Sequence, residues 1–156
     1  MGKTDVVLVT EEVEREAAFA VRKAVFVDEQ EVSLALEFDG LDDRAEHLLA
    51  VLDGRAVGTL RLRRVDHAIV KIERVAVLRE ARGHAVGCAL MTAALARLRK
   101  RGFGQVKLHA QTKALDFYAK LGFAAYGEVF DEDGIAHRAM RIDLGENLEM
   151  TSGGGS

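Results

Sequence analysis

At 156 residues the chain has the length of one compact domain, enough to bury roughly two-thirds of the surface that its unfolded form exposes. Hydrophobic residues make up 49% and charged residues 30%, an ordinary globular balance, and no apolar run approaches the ~20 residues of a membrane span. A net charge of −3 offers no polyphosphate-binding surface, so nucleic acid is not an expected partner; a single cysteine, Cys88, excludes an intrachain disulfide framework and suits a reducing cytoplasm.

Met1 to Asp5 has no signal-peptide hydrophobic region. Val6 to Thr10 predicts a short strand, and Glu11 to Val27 a helix with Val13, Ala17, Val21, Ala24 and Val25 at helical spacing and acids in its first turn. Asp28 to Arg44 lacks periodicity and is rich in acids, which predicts a loop with room for a short helix. Two strands, His47 to Leu52 and Ala56 to Val65, flank the hairpin signal Asp53-Gly54, and Ala68 to Val77 follows as a third. A helix over Val86 to Arg101 carries Val86, Leu90, Ala94, Leu95 and Leu98 on one face, basic residues near its end and Gly102 beyond. Gln105 to Ala110 predicts a strand, Ala114 to Leu121 a helix closed by Gly122, and Ala124 to Phe130 with Ile135 to Ile142 a final hairpin. This order, an antiparallel meander followed by a helical crossover, predicts a mixed α/β sheet with helices on both faces. One domain over 1–144 is expected, and from Gly145 onward a flexible tail ending in Thr151 to Ser156.

The stretch Arg82-Gly83-His84-Ala85-Val86-Gly87 joins a β-branched strand to a helix N-terminus. A small-residue turn there exposes backbone N–H groups without intrahelical partners, at the positive end of the helix dipole, and so predicts a bound phosphate. It has neither a Gly-Lys-Ser/Thr ending nor a second glycine pair, so it matches neither common nucleotide fingerprint. His84 and Cys88, at i and i+4, make only half a metal site, and no metal is expected; Cys88 is expected to pack as a small buried residue. Ser33 is the sole serine before the tail and lies in no nucleophile elbow, which excludes a serine-hydrolase triad.

The element order, the Arg-Gly-x-x-x-Gly turn and the run Ala114-Leu115-Asp116-Phe117-Tyr118-Ala119-Lys120-Leu121-Gly122-Phe123 together resemble the GCN5-related N-acetyltransferase (GNAT) family over about Val6 to Asp143. Tyr126 to Asp131 with His137 and Met140 resembles its glyphosate N-acetyltransferase and YitI-like branch, and Val25 to Gln30 its ElaA and YjcF-like members. The resemblance implies a mixed, mostly antiparallel sheet of six to seven strands and acetyl-CoA as acetyl donor. Its pyrophosphate would be held by Arg82, Gly83, His84, Ala85, Val86, Gly87 and Cys88, its thioester carbonyl polarised by a backbone N–H within Val75, Ala76 and Val77, and its pantetheine met by Gln111, Ala114 and Phe117. Ala85 replaces the first signature glycine, at little cost if φ is negative and at a penalty if φ is positive.

Acetyl transfer to an amine needs a neutral nucleophile, a polarised thioester and a proton for the departing thiolate. The resemblance implies Tyr118 as that proton donor, a phenol being able to serve, whereas Phe117 better suits a core aromatic. His137 or Glu73 is implied as the base; Glu73 alternatively pairs as an exposed strand carboxylate with Lys71 or a neighbouring arginine, or binds a cationic acceptor, in line with the acid-rich segment before it. The resemblance to the ElaA and YjcF-like members implies that Phe26, Glu29 and Gln30 begin a loop covering the acceptor site, and His47 either lines that site or is a satisfied core residue. The expected acceptor is a small-molecule primary amine, with an acyl-CoA sensor and a protein acetyltransferase as the alternatives, and dimers are common in the family. The chain contains no proline, against about eight expected at average usage; Ser33 and Arg79 stand where family members often carry it.

Overall fold

The computed structural model describes residues 3–145; of the predicted tail, everything after Gly145 lies outside the described residues. The strands form a seven-stranded sheet in the order β1-β2-β3-β4-β5-β7-β6. The described residues divide into two compact units, one of residues 3–63 and 73–94 and one of 64–72 and 95–145. No helix among the described residues is long and apolar enough to cross a membrane.

In the first unit, β1 (Thr4–Leu8) runs antiparallel to β2 (Glu46–Leu52), and β2 to β3 (Arg55–Asp66). Asp53 and Gly54, both at positive φ, make the two-residue hairpin that the sequence predicts. Helix α1 (Glu12–Arg22) starts where the Glu14 carboxylate accepts hydrogen bonds from the Thr10 and Glu11 N–H groups. The single helix expected to Val27 instead widens into a π-helix, Lys23–Glu29, whose end is marked by the Gln30 N–H donating to the Val25 carbonyl. Val25 packs there with Val21 and Ala76, and Phe26 and Leu78 cover the cluster. The one-turn helix α2 (Leu34–Glu37) is capped by Ser33, whose Oγ accepts from the Leu36 N–H at 3.2 Å. Ser33 has φ −65°, a value that proline also adopts, and its side chain adds the cap.

Gly58 in β3 lies under the start of α3 (Val86–Lys100), where an added Cβ would come within 3.0 Å of Val86 Cγ1 and Leu90 Cδ1 and 3.2 Å of the Ala76 carbonyl. The absence of a side chain thus lets the first turn of α3 approach the sheet closely. Val86, Leu90, Met91 and Ala94 supply the buried stripe of that helix within this unit.

In the second unit, β4 (Ile69–Val77) pairs in parallel with β5 (Gln105–Gln111) over Ile69 to Ile72. Strand β7 (Ile135–Asp143) runs antiparallel to β5, with Gln111 opposite His137, and β6 (Ala124–Glu132) runs antiparallel to β7. A bulge between Tyr126 and Phe130, with Gly127 at φ 77°, interrupts the β6–β7 ladder. Helix α4 (Leu115–Lys120) follows β5 through a 3₁₀ turn, Thr112–Ala114. Leu98, Phe103, Val106, Leu108, Phe123 and Met140 form the core of this unit.

Candidate functional site

The turn after β4 has the strand–turn–helix setting that the sequence predicts, with a 3₁₀ turn, Arg79–Ala81, inserted before it. The N–H groups of Val86, Gly87 and Cys88 head the 15-residue helix α3, and Gly83, at φ 88° with open space about it, leaves the backbone accessible. Ala85 lies at φ 62°, so the condition under which alanine is penalised is met. Cys88 is exposed, not buried: the core-facing stripe holds Val86, Leu90 and Met91, which turns the Cys88 thiol to the opposite side.

Arg82 is held by three contacts within this unit. Its Nε–H donates to the Val77 carbonyl at 3.1 Å, and its two terminal nitrogens grip the Glu29 carboxylate at 2.8 and 2.7 Å, a fork that favours the guanidinium charge. Glu29 therefore faces the phosphate turn. Phe26 lies half-buried against the Val21–Val25–Ala76 cluster, and Gln30 closes the π-helix.

Glu73 lies in an arginine network. Arg61 donates to it at 2.7 and 3.1 Å, and Arg63 donates at 2.9 Å to each of its oxygens. The pairing with neighbouring-strand arginines is the alternative that the sequence allows, but the carboxylate is buried where an exposed one is expected. Arg61 also holds Asp39 and Asp42, Arg22 holds Glu37 and Asp42, and Arg74 reaches Glu37 and Asp39. Arg22 and Arg61 are 0% exposed. Burial alone would raise the titration of Asp42, yet hydrogen bonds from Arg22 and Arg61 hold it below the ordinary carboxylate range; Asp39 is held low by Arg61 against the same penalty. Glu37 goes the other way, since burial outweighs its arginines and pushes it up. Most acids of this segment are thus paired with arginine or lysine, through Lys23–Asp28, Arg82–Glu29 and this cluster. Arg74 has φ 57° inside β4, which places an irregularity immediately before Val75, Ala76 and Val77.

His47 is buried. Its Nε2–H donates to the Asp42 carbonyl at 3.1 Å, Phe19 lies edge-on at 5.8 Å, and Nδ1 has no partner. Burial lowers its titration, so the ring is neutral near pH 7. A cleft of about 290 Å³ beside it is lined by Thr10, Glu11, Arg15 and Glu46 among others.

The second unit brings Gln111 and His137 together and carries Tyr118 on α4. Gln111 ends β5 opposite His137, and the 3₁₀ turn that includes Ala114 leads to α4. Tyr118 is 8% exposed and Phe117 37%, which reverses the expected assignment of the core aromatic; Tyr118 turns inward against Phe123, at 6.0 Å between ring centres. Burial pushes its phenol up to about 12. His137 is buried with its Nδ1–H donating to the Ile135 carbonyl at 2.7 Å; that acceptor fixes the tautomer and leaves the lone pair on Nε2. Phe130 stacks on it at 6.1 Å.

His109, absent from the candidates above, joins this group. Its Nδ1–H donates to Glu132 at 2.8 Å, and Phe130 meets its ring edge-to-face at 4.9 Å. The sequence signal was the alternation Gln105, Lys107, His109, Gln111, which marks the polar face of a strand whose other residues are core. The arginine network had no comparable signal, because its eight members are scattered over four segments of the chain.

A mixed α/β sheet with a strand–turn–helix connection after β4 and a short aromatic helix after β5 defines the class of fold. Comparison with known proteins narrows this. The model of the acetyltransferase (GNAT) domain matches residues 9–144, across both units. The uncharacterized N-acetyltransferase YjcF of Bacillus subtilis (strain 168) is 37% identical over 127 residues, 81% of this chain and 90% of that one. A putative N-acetyltransferase from Lactobacillus plantarum superposes with a TM-score of 0.84 at 32% identity, covering 90% of this chain and 98% of the other. Escherichia coli ElaA gives 0.79 at 30%, covering 91% and 99%. The chain belongs to the GNAT acetyltransferase family.

Proposed function

We propose that the protein is an acetyl-CoA-dependent N-acetyltransferase acting on a primary amine of a small molecule by direct attack in a ternary complex. The observation that carries this reading is the Arg82–Gly87 turn, which delivers the N-terminal N–H groups of a 15-residue helix behind a glycine with open space around it. Acetyl-CoA, bound there, supplies a thioester carbon that accepts the amine lone pair. The backbone N–H groups of Val86, Gly87 and Cys88 hold the pyrophosphate, and Arg82 is kept in place by Glu29. Gln111 and Phe117 meet the pantetheine, and a β4 N–H among Val75, Ala76 and Val77 polarises the carbonyl.

His137 serves as base, since its Nε2 lone pair is the one left by the Ile135 bond. Glu73 supports the site from within the arginine network, because a carboxylate gripped by two guanidiniums has its lone pairs engaged. Tyr118 holds its proton throughout the physiological range. Complete transfer from a phenol near 12 to a thiolate of ordinary pKa is uphill by about 5 kcal/mol. Tyr118 therefore acts first as a hydrogen-bond donor to the sulfur as negative charge builds, and the proton follows as the C–S bond breaks.

Calorimetry with acetyl-CoA, followed by thiol release against polyamines, amino acids, aminosugars and lysine-containing peptides, tests this reading. Binding with turnover on a small amine is the expected result. Binding without turnover would establish the acyl-CoA sensor that the strained Ala85 favours, and turnover confined to peptides would establish protein acetylation.

A further inference from the structure

The reaction proposed above has a proton balance that one base does not close. An amine acceptor arrives as the ammonium and loses one N–H proton before it can attack and a second as the C–N bond forms. The second is balanced by the thiol that leaves, and the first must pass to solvent. His137 is buried beneath Phe130, a poor position from which to discharge a proton to water.

Phe130 also meets His109 edge-to-face, and His109 is bonded through Nδ1–H to Glu132. Both side chains are about one-third exposed, at 33% and 34%. The contact is not what strand register alone would give: His109 lies opposite Ala139 of β7, whereas Glu132 lies opposite Ile135, four residues along. The bulge at Tyr126 to Phe130, with Gly127 at positive φ, lets the end of the hairpin bend so that the carboxylate reaches the ring. Because the carboxylate only accepts, it fixes the Nδ1–H tautomer and leaves Nε2 as the proton acceptor, the arrangement of a base oriented by a third group.

From this geometry we infer that His109 and Glu132 form a proton-accepting dyad that takes the first proton from an ammonium acceptor and returns it to solvent. The substrate N–H bond breaks with its electron pair left on nitrogen, Nε2–H forms on His109, the adjacent carboxylate stabilises the imidazolium, and the proton exits at the exposed ring. His137 then receives the second as the C–N bond forms, Tyr118 protonates the departing thiolate as the C–S bond breaks, and return of the His137 proton to the Tyr118 phenolate restores both groups, so that one proton in all passes to solvent. The charges facing the dyad are Lys71 of β4, Lys107 of β5, and His137 and Arg141 of β7. Arg141 lies over the Tyr126 ring at 4.5 Å, and the Glu132 carboxylate is held low by His109 first, then by His137 and Lys71. The inference rests on the N-acetyltransferase reading.

The test is the pH dependence of kcat/KM for the amine turned over best in the panel above, in the wild type, His109→Asn, Glu132→Gln and the double variant. At pH 7 His109→Asn should lose on the order of 100-fold, Glu132→Gln less, and the double variant no more than His109→Asn alone, since the two act as a unit. The deficit should shrink as the pH approaches about 10, where solution itself supplies the neutral amine. Affinity for CoA by calorimetry should be unchanged, which separates the effect from misfolding, and should His109→Asn lose it, Glu132→Gln decides alone. A loss that is the same at every pH, or no loss, overturns the dyad. Absence of turnover in the wild type with every amine overturns the N-acetyltransferase reading instead.

Discussion

Ala85 and Tyr118 are the two residues at which backbone and burial set the chemistry most directly. Ala85 is held at φ 62°, where an L side chain crowds its own carbonyl and glycine does not. Ala85→Gly removes that strain but gives the unfolded chain more freedom, so the expected net gain is about 0.5–1 kcal/mol, a rise in melting temperature of ~2–4 °C, with acetyl-CoA affinity equal or higher. Thermal unfolding and calorimetry read both; a destabilised variant would show that the turn is not strained at this position. Tyr118→Phe keeps the ring against Phe123 and removes only the hydroxyl. It should lower kcat by roughly 100-fold while leaving CoA affinity intact, and an unchanged kcat would remove the phenol from the mechanism.

At the scale of elements, the informative feature is the buried charge network that ties α1, the segment around α2, and strands β3 and β4 of the first unit. Arg61 is fully buried among Asp39, Asp42 and Glu73, so removing it takes one guanidinium from each of three carboxylates and leaves Asp39 to Arg74, Asp42 to Arg22 and Glu73 to Arg63. Arg61→Leu should cost about 3–5 kcal/mol in denaturant unfolding at pH 7. The pH dependence follows from the directions of titration. Asp39 and Asp42 titrate lower folded than unfolded, so their stabilisation is complete above their ordinary pKa of about 3.9 and is lost as pH falls through the folded values. Glu37, pushed up by burial, opposes this, because its protonation on acidification relieves a penalty in the folded state. Two depressed groups against one raised group should leave the wild type losing stability below about pH 4, with much of that slope absent in Arg61→Leu. A wild type whose stability is flat from pH 5 to pH 2 would contradict the network. This network also marks the limit of what the sequence makes legible. Strands, the Asp53-Gly54 hairpin and the amphipathic face of α3 follow from periodicity and turn chemistry over a few neighbouring residues. The acids between Asp28 and Asp43 read locally as a solvated, cation-attracting loop, and only the fold brings Arg22, Arg61 and Arg74 to them across 15 to 37 residues. The π-helix was invisible for the same reason: its apolar residues satisfy an α-helical pattern, and the widening accompanies packing of Val25 on Ala76, a residue 51 positions later. His109 escaped because a strand histidine between core residues has no spacing motif, and its partner Glu132 is supplied by a distant hairpin.

For the whole molecule, the composition makes a kinetic statement. Slow phases in refolding, tens of seconds at 25 °C, usually come from X-Pro bonds that isomerise while the chain is unfolded, and this chain has none. Ser33 holds φ −65° and caps α2 without an isomerising bond. The parallel β4–β5 pairing across the α3 crossover is the long-range step expected to limit folding. A double-jump experiment separates these sources. The protein is unfolded for intervals from one second to one hour and then refolded, and the amplitude of any slow phase should not grow with the time spent unfolded. Any slow phase that is present should also be unaffected by a prolyl isomerase. Growth of a slow phase over minutes of unfolding would require a different isomerising step. A slow phase of constant amplitude would instead assign the barrier to topology, as expected where distant segments must meet before the sheet is complete.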